Sequence, residues 1–138
     1  MPNKSLGKLQ RVIRKEPLIL VVEDNEDNLF YHTSILDLSN YRFLKASDGR
    51  VGLDIAMDKL PDLILLDIVM PEVNGIEVIE TLRRNPITNH IYIIALTGLA
   101  FESQIKLIMD AGCDDYLIKP FLIEDLEAKL KLYLKVER

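Results

Sequence analysis

Glu23 and Asp24, Asp67, Thr97 and Lys119 all sit just behind short apolar runs: LILVV (18–22), DLILL (62–66), IYIIAL (91–96) and DYLI (115–118). One polar residue after such a run means little, because every strand must end in something polar. Three carboxylates, a hydroxyl and an amine form a set with a chemistry. Within ~5 Å of one another, two carboxylates repel by roughly 3 kcal/mol at an effective dielectric near ~20. The arrangement survives if a cation sits among them or if one carboxyl keeps a proton. A hard divalent ion with oxygen ligands, most plainly Mg²⁺, meets that need and leaves positions for water and phosphate oxygens. A carboxylate beside such an ion, a lysine and a hydroxyl has the parts for phosphoryl transfer, with the carboxylate as nucleophile. Lys119 would neutralise a phosphoryl oxygen as a point charge. Thr97 would donate to another, and Gly98 would leave room for the group to approach.

That chemistry requires the runs to be strands ending at one edge. The four strong runs are nearly continuous in apolar residues, the mark of strands covered on both faces. A weaker fifth strand is expected at YRFLKA (41–46), closing in an Asp48-Gly49 turn. Helical spacing fills the gaps: Leu29, Thr33 and Leu36; Val51, Ile55 and Ala56; Val78, Ile79 and Leu82; Ile105, Ile108 and Met109, stopped at Gly112; and Leu126, Leu130 and Leu134. Five β-α repeats imply an α/β fold, a parallel sheet with helices on both faces, whose ligands gather at the carboxyl ends of the strands.

Composition narrows the function classes. The 138 residues suit one domain with a full core. Residues 1–16 form a basic tail of net +4, leaving −9 for the rest, a poor match for direct nucleic-acid binding. The tail reads either as a solvated segment or as a short amphipathic helix that docks on a partner (Leu6, Leu9, Val12, Ile13). No apolar run suits a membrane span and no signal-peptide pattern opens the chain, so a cytoplasmic protein is expected. Cys113 is the lone cysteine and is expected to fill a small apolar space. Glu26 and Asp27 read as first-turn helix charges. His32 is expected on the surface of the first helix and His90 in the loop before the fourth strand, neither with metal-ligand spacing.

Other acidic or phosphate sites fit less well. An EF-hand loop opening at Asp24 would need Gly at its sixth position and Glu at its twelfth, where Leu29 and Ile35 stand. A haloacid-dehalogenase phosphatase needs a second aspartate two residues after the nucleophile, where Val69 stands. No GxxxxGK is present. In place of a flavodoxin's phosphate loop stands EDNEDN, which would repel phosphate.

From VVEDN (21–25), LLDIVMPEVNG (65–75), ALTG (95–98) and DYLIKPF (115–121), in that order and spacing, the chain resembles the receiver domain of two-component response regulators over about residues 17–136. The resemblance implies a flavodoxin-like sandwich with strand order 2-1-3-4-5, and a receiver unit over 17–138 behind the 1–16 tail. It implies Asp67 as phosphoacceptor; Glu23, Asp24, Asp67 and the Val69 backbone carbonyl as Mg²⁺ ligands; and Lys119 and Thr97 as phosphoryl-binding groups. Thr97 and Tyr116 match the switch pair, and Pro120 matches a proline that follows a cis peptide bond. It implies a stand-alone receiver, a phospho-accepting switch rather than a turnover enzyme. Its donor would be a histidine kinase or histidine phosphotransfer protein, and its downstream target would bind the helix 4/strand 5/helix 5 face. A phosphorylation-dependent homodimer is left open. The alternative is a phosphorylation-independent adaptor, against which the intact residue set speaks. Three departures from the commonest pattern carry expectations. Glu23 replaces an aspartate, with metal binding expected to persist. Val69 and Leu99 cannot orient an attacking water, so slow autodephosphorylation is expected. Leu122 stands where a capping residue is common, so the last helix is expected to start less firmly.

Overall fold

A computed structural model of the chain describes residues 16–70 and 74–135. Apart from Glu16, the basic tail lies outside the described residues, and so does Pro71. Among the described residues strand and helix alternate: β1 (Leu18–Val22), α1 (Glu26–Leu38), β2 (Arg42–Ala46), α2 (Gly49–Lys59), β3 (Leu63–Asp67), α3 (Gly75–Arg84), β4 (Tyr92–Thr97), α4 (Glu102–Ala111), β5 (Asp115–Ile118) and α5 (Ile123–Leu134). The strands form one parallel sheet in the order β2-β1-β3-β4-β5, as expected.

The continuous apolar runs resolve into two alternating sets. Leu20, Val22, Ile64, Leu66, Ile93 and Ala95 share a core with Ala56 of α2, Val78, Ile79 and Leu82 of α3, and Ile108 of α4. Ile19, Val21, Leu63, Leu65, Ile94 and Leu96 share the other with Ile35 and Leu36 of α1 and Leu126 and Leu130 of α5. A period of two thus feeds both faces, which is why neither face could be polar.

Register decides where the polar residues end up. Val22 pairs with Leu66, so Glu23 and Asp67, one residue further on, meet side by side. Asp67 pairs with Leu96, and Thr97 with Ile118, so Thr97 and Lys119 complete the same edge. Asp67 is itself the last residue of β3 rather than the residue after it.

The helices start with side-chain caps at three of these edges. Asn25, Asp48 and Asn74 accept the backbone N–H of Asn28, Val51 and Glu77 at 2.9, 2.8 and 3.0 Å. Each satisfies one of the orphan donors of a first turn. The Asp48-Gly49 turn is therefore the start of α2. Gly112 ends α4 with φ 118°, a left-handed stop that suits glycine. A side chain at Gly75 would put its Cβ 2.6 Å from the Ile68 Cα, so α3 packs tightly under the end of β3.

Two apolar stripes differ from expectation. Val51 is exposed and α2 packs through Gly49, Gly52 and Ala56, because small residues let that helix approach β1. In α4 only Ile108 is buried, while Met109 is exposed and Ile105 half-buried. Cys113 is buried as expected, and burial pushes its thiol up to about 12.

Candidate functional site

Glu23, Asp67 and Thr97 are buried at the carboxyl edge of the sheet, whereas Asp24 is exposed beside them. Glu23, Asp24 and Asp67 each offer an oxygen, and the three oxygens lie within 4.8 Å of one another. Lys119 joins two of the three. Its Nζ donates to Glu23 Oε1 at 2.9 Å and to Asp67 Oδ1 at 3.0 Å. The lysine is held in turn by its own backbone N–H, which donates to the Thr97 carbonyl at 2.8 Å. The peptide bond between Lys119 and Pro120 is cis, as the resemblance implied.

The electrostatics follow from burial and crowding. Burial pushes the Asp67 carboxyl up to about 7, with the neighbouring Glu23 adding to the rise against the pull of Lys119. Burial also works against the Glu23 carboxylate. His32, Asp67 and Lys119 outweigh it and hold Glu23 well below the ordinary carboxylate range. Burial opposes the Lys119 charge as well, yet Glu23 and Asp67 raise its affinity for the proton. The two carboxylates titrate as a pair in which Asp67 is the side more ready to keep a proton. A divalent cation would replace it, and an all-oxygen, mostly carboxylate donor set fits a hard cation.

Thr97 Oγ1 accepts the Leu99 backbone N–H at 3.0 Å, so the hydroxyl is engaged by its own loop. Gly98 borders open space: a Cβ there would meet nothing within 4 Å, so the room expected of it does not depend on glycine. Val69 and Leu99, the two apolar flanks, are 62% and 40% exposed. Tyr116 is half-buried against the α2–α4 core.

His32 corrects the sequence reading. It is not on the surface but 2% exposed, with Nε2 3.5 Å from Glu23 Oε1. Its ring stacks on Phe121 with centroids 5.4 Å apart, and Tyr31 closes the edge. The signal lay in the spacing. His32 falls between Leu29 and Leu36 on the helix face that the apolar residues mark as buried. His90 is exposed in its loop, as expected.

The model of the response regulator receiver domain family matches residues 19–131. The chain belongs to the response regulator receiver family. Among relatives of this receiver is the polar-differentiation response regulator DivK of Brucella anthropi, 35% identical over 116 residues, covering 84% of the chain and 94% of that protein. The receiver domain of the sensor histidine kinase PA1611 of Pseudomonas aeruginosa, solved with a magnesium ion coordinated in its active-site cleft, superposes with a TM-score of 0.82. That pair is 30% identical and covers 87% of this chain and 98% of the other. The Vibrio cholerae chemotaxis protein CheY4 superposes at 0.81 with 25% identity, covering 86% and 98%. The chain is thus a response regulator receiver of two-component signalling. No helix among the described residues is long and apolar enough to cross a membrane.

Proposed function

We propose that Asp67 is the phosphoacceptor of this receiver and that Glu23, Asp24, Asp67 and the Val69 carbonyl hold Mg²⁺ beside it. The observation that carries this reading is the Lys119 bridge, at 2.9 and 3.0 Å, between two buried carboxylates that lie against a third. An open edge and a lysine shared between two buried carboxylates suit a reacting site better than a purely structural cluster.

The donor is a phosphohistidine of a histidine kinase or phosphotransfer protein. An Asp67 oxygen attacks phosphorus, the P–N bond breaks, and the leaving imidazole takes up a proton. Bound Mg²⁺ supplies charge neutralisation for the phosphoryl oxygens. Lys119 leaves Asp67 for a phosphoryl oxygen while keeping Glu23. Thr97 turns its hydroxyl from the Leu99 loop toward the new anion, and Tyr116 packs inward into the space released. The α4–β5–α5 face then changes its affinity for a downstream protein, a two-state equilibrium biased by modification. Phe101 and Leu107, exposed at 69% and 53%, give α4 an apolar contact surface for that partner.

The test is intact mass after incubation with Mg²⁺ and acetyl phosphate. One phosphoryl group is expected on the wild type, none on Asp67→Asn, and none when Mg²⁺ is chelated. Mg²⁺ binding without phosphoryl uptake would favour the phosphorylation-independent adaptor.

A further inference from the structure

His32 has a placement that the phosphoacceptor chemistry leaves unexplained. The residue is 2% exposed, and neither ring nitrogen has a hydrogen-bond partner among the described residues. A buried imidazole without partners is costly, so its position needs a reason. The ring cannot drift, because Phe121 stacks on it with planes only 19° apart. Phe121 is itself tethered to α1, its carbonyl accepting the Tyr31 hydroxyl at 3.2 Å. So fixed, Nε2 points at Glu23 Oε1 from 3.5 Å, just beyond a good hydrogen bond.

Glu23 is the residue that needs such a neighbour. It has one more rotatable bond than aspartate, and therefore more positions for its carboxylate. Lys119 pulls on Oε1 from one side, and the Asn25 backbone N–H reaches Oε2 only at 3.4 Å. Without a third contact the carboxylate is free to follow the lysine.

We propose that His32 is a positioning residue for Glu23: its Nε2–H donates to Oε1, the oxygen that Lys119 also holds, and keeps the carboxylate in the place from which it ligates the metal. His32 lies outside the group of three carboxylates and acts only through Glu23. Partners behind metal-ligating groups commonly change metal affinity by about tenfold to a hundredfold when removed.

The inference rests on the reading of Glu23, Asp24 and Asp67 as a Mg²⁺ site, but two measurements separate the two. The first needs no metal. Imidazole ¹H–¹⁵N NMR of the metal-free protein, with exposed His90 as the other histidine, is expected to show the His32 proton on Nε2 and a shift of that signal in Glu23→Ala. A proton on Nδ1 alone overturns the proposal. The second is Mg²⁺ calorimetry at one fixed pH, with thermal unfolding recorded for each variant. His32→Leu is expected to weaken binding about tenfold, and His32→Gln, which keeps an N–H donor, to recover most of the loss. In a Glu23→Asp background the shorter carboxylate is out of reach, and His32→Leu is then expected to change the affinity by less than about twofold. Equal losses in both backgrounds, or none in either, overturn the positioning role. A wild type that binds no Mg²⁺ removes the metal reading itself and leaves the NMR result to decide His32.

Discussion

At the scale of single residues, Asp67 determines how the site responds to pH. Its carboxyl is pushed up to about 7 in the folded chain, against an ordinary value of 3.8. Between those values the folded state binds more protons than the unfolded, so this residue's contribution to stability falls as pH rises through the window. Glu23 runs the other way, because its proton affinity is depressed, and its contribution to stability is lost only as pH falls below the ordinary value of 4.5. At pH 8 the metal-free protein therefore holds both carboxylates charged side by side. Asp67→Asn is expected to stabilise it there by on the order of 2 kcal/mol, with the gain shrinking toward pH 5. Urea unfolding in EDTA at both pH values checks this, and a gain independent of pH would show that no charge had been relieved. A Mg²⁺ ion held among these carboxylates would compete with the same proton, so its affinity is expected to rise from pH 6 to pH 8 with proton release, measured by calorimetry in buffers of different ionisation enthalpy. Val69 and Leu99 lie exposed at the open edge with no polar group to orient a water. The acyl phosphate is accordingly expected to last well beyond seconds, and Val69→Asn to shorten its lifetime.

The elements differ in how firmly they are held. The N-cap of α5 is Leu122, whose side chain cannot cap. Asp125 supplies half of a capping box by accepting the Leu122 N–H at 3.3 Å. Leu122→Asp is expected to add about 1 kcal/mol, read by denaturant unfolding. Further along, Tyr133 and Lys129 both donate to the Asp115 carboxylate at 2.9 Å, clamping α5 onto β5. Among the described residues α4 has no such clamp: it has one buried residue and a Phe101 N-cap without a side-chain hydrogen bond. Its amides are expected to exchange fastest among the helices of the described residues, since local opening follows thin burial. This contrast also shows where the sequence was legible. The strands and their order could be read because a buried parallel strand leaves a run that nothing else explains. The faces of α2 and α4 could not, because Gly52 was too small to register as a packing residue and Met109 too apolar to look exposed. His32 was misplaced because residue type was weighed above its position on the helix. The site residues were legible because strand ends name themselves, but the bridging of Glu23 and Asp67 by one lysine appears only in three dimensions.

Across the whole molecule, chemistry and cohesion occupy opposite ends of the sheet. Arg83 sits at the end remote from Asp67. It donates to the carbonyls of Gly112 and Ile91 at 2.7 Å each and to the Asp114 carboxylate at 2.8 Å, joining α3 to the entries of β4 and β5. Arg83→Ala is expected to cost about 2 kcal/mol of stability. In folded protein it is expected to leave the acetyl phosphate reaction rate within about twofold, because distant sites act independently. Parallel loss of both would mean that the two ends are coupled. The Lys119–Glu23 contact has a consequence for the newly made protein. Its partners are 96 residues apart, one just behind β5 and the other just behind β1. In order of synthesis, Glu23, Asp24 and Asp67 all precede the lysine that bridges two of them. Until β5 docks, Lys119 cannot bridge Glu23 and Asp67, so the carboxylates gain their shared cation only when the last strand of the sheet is in place.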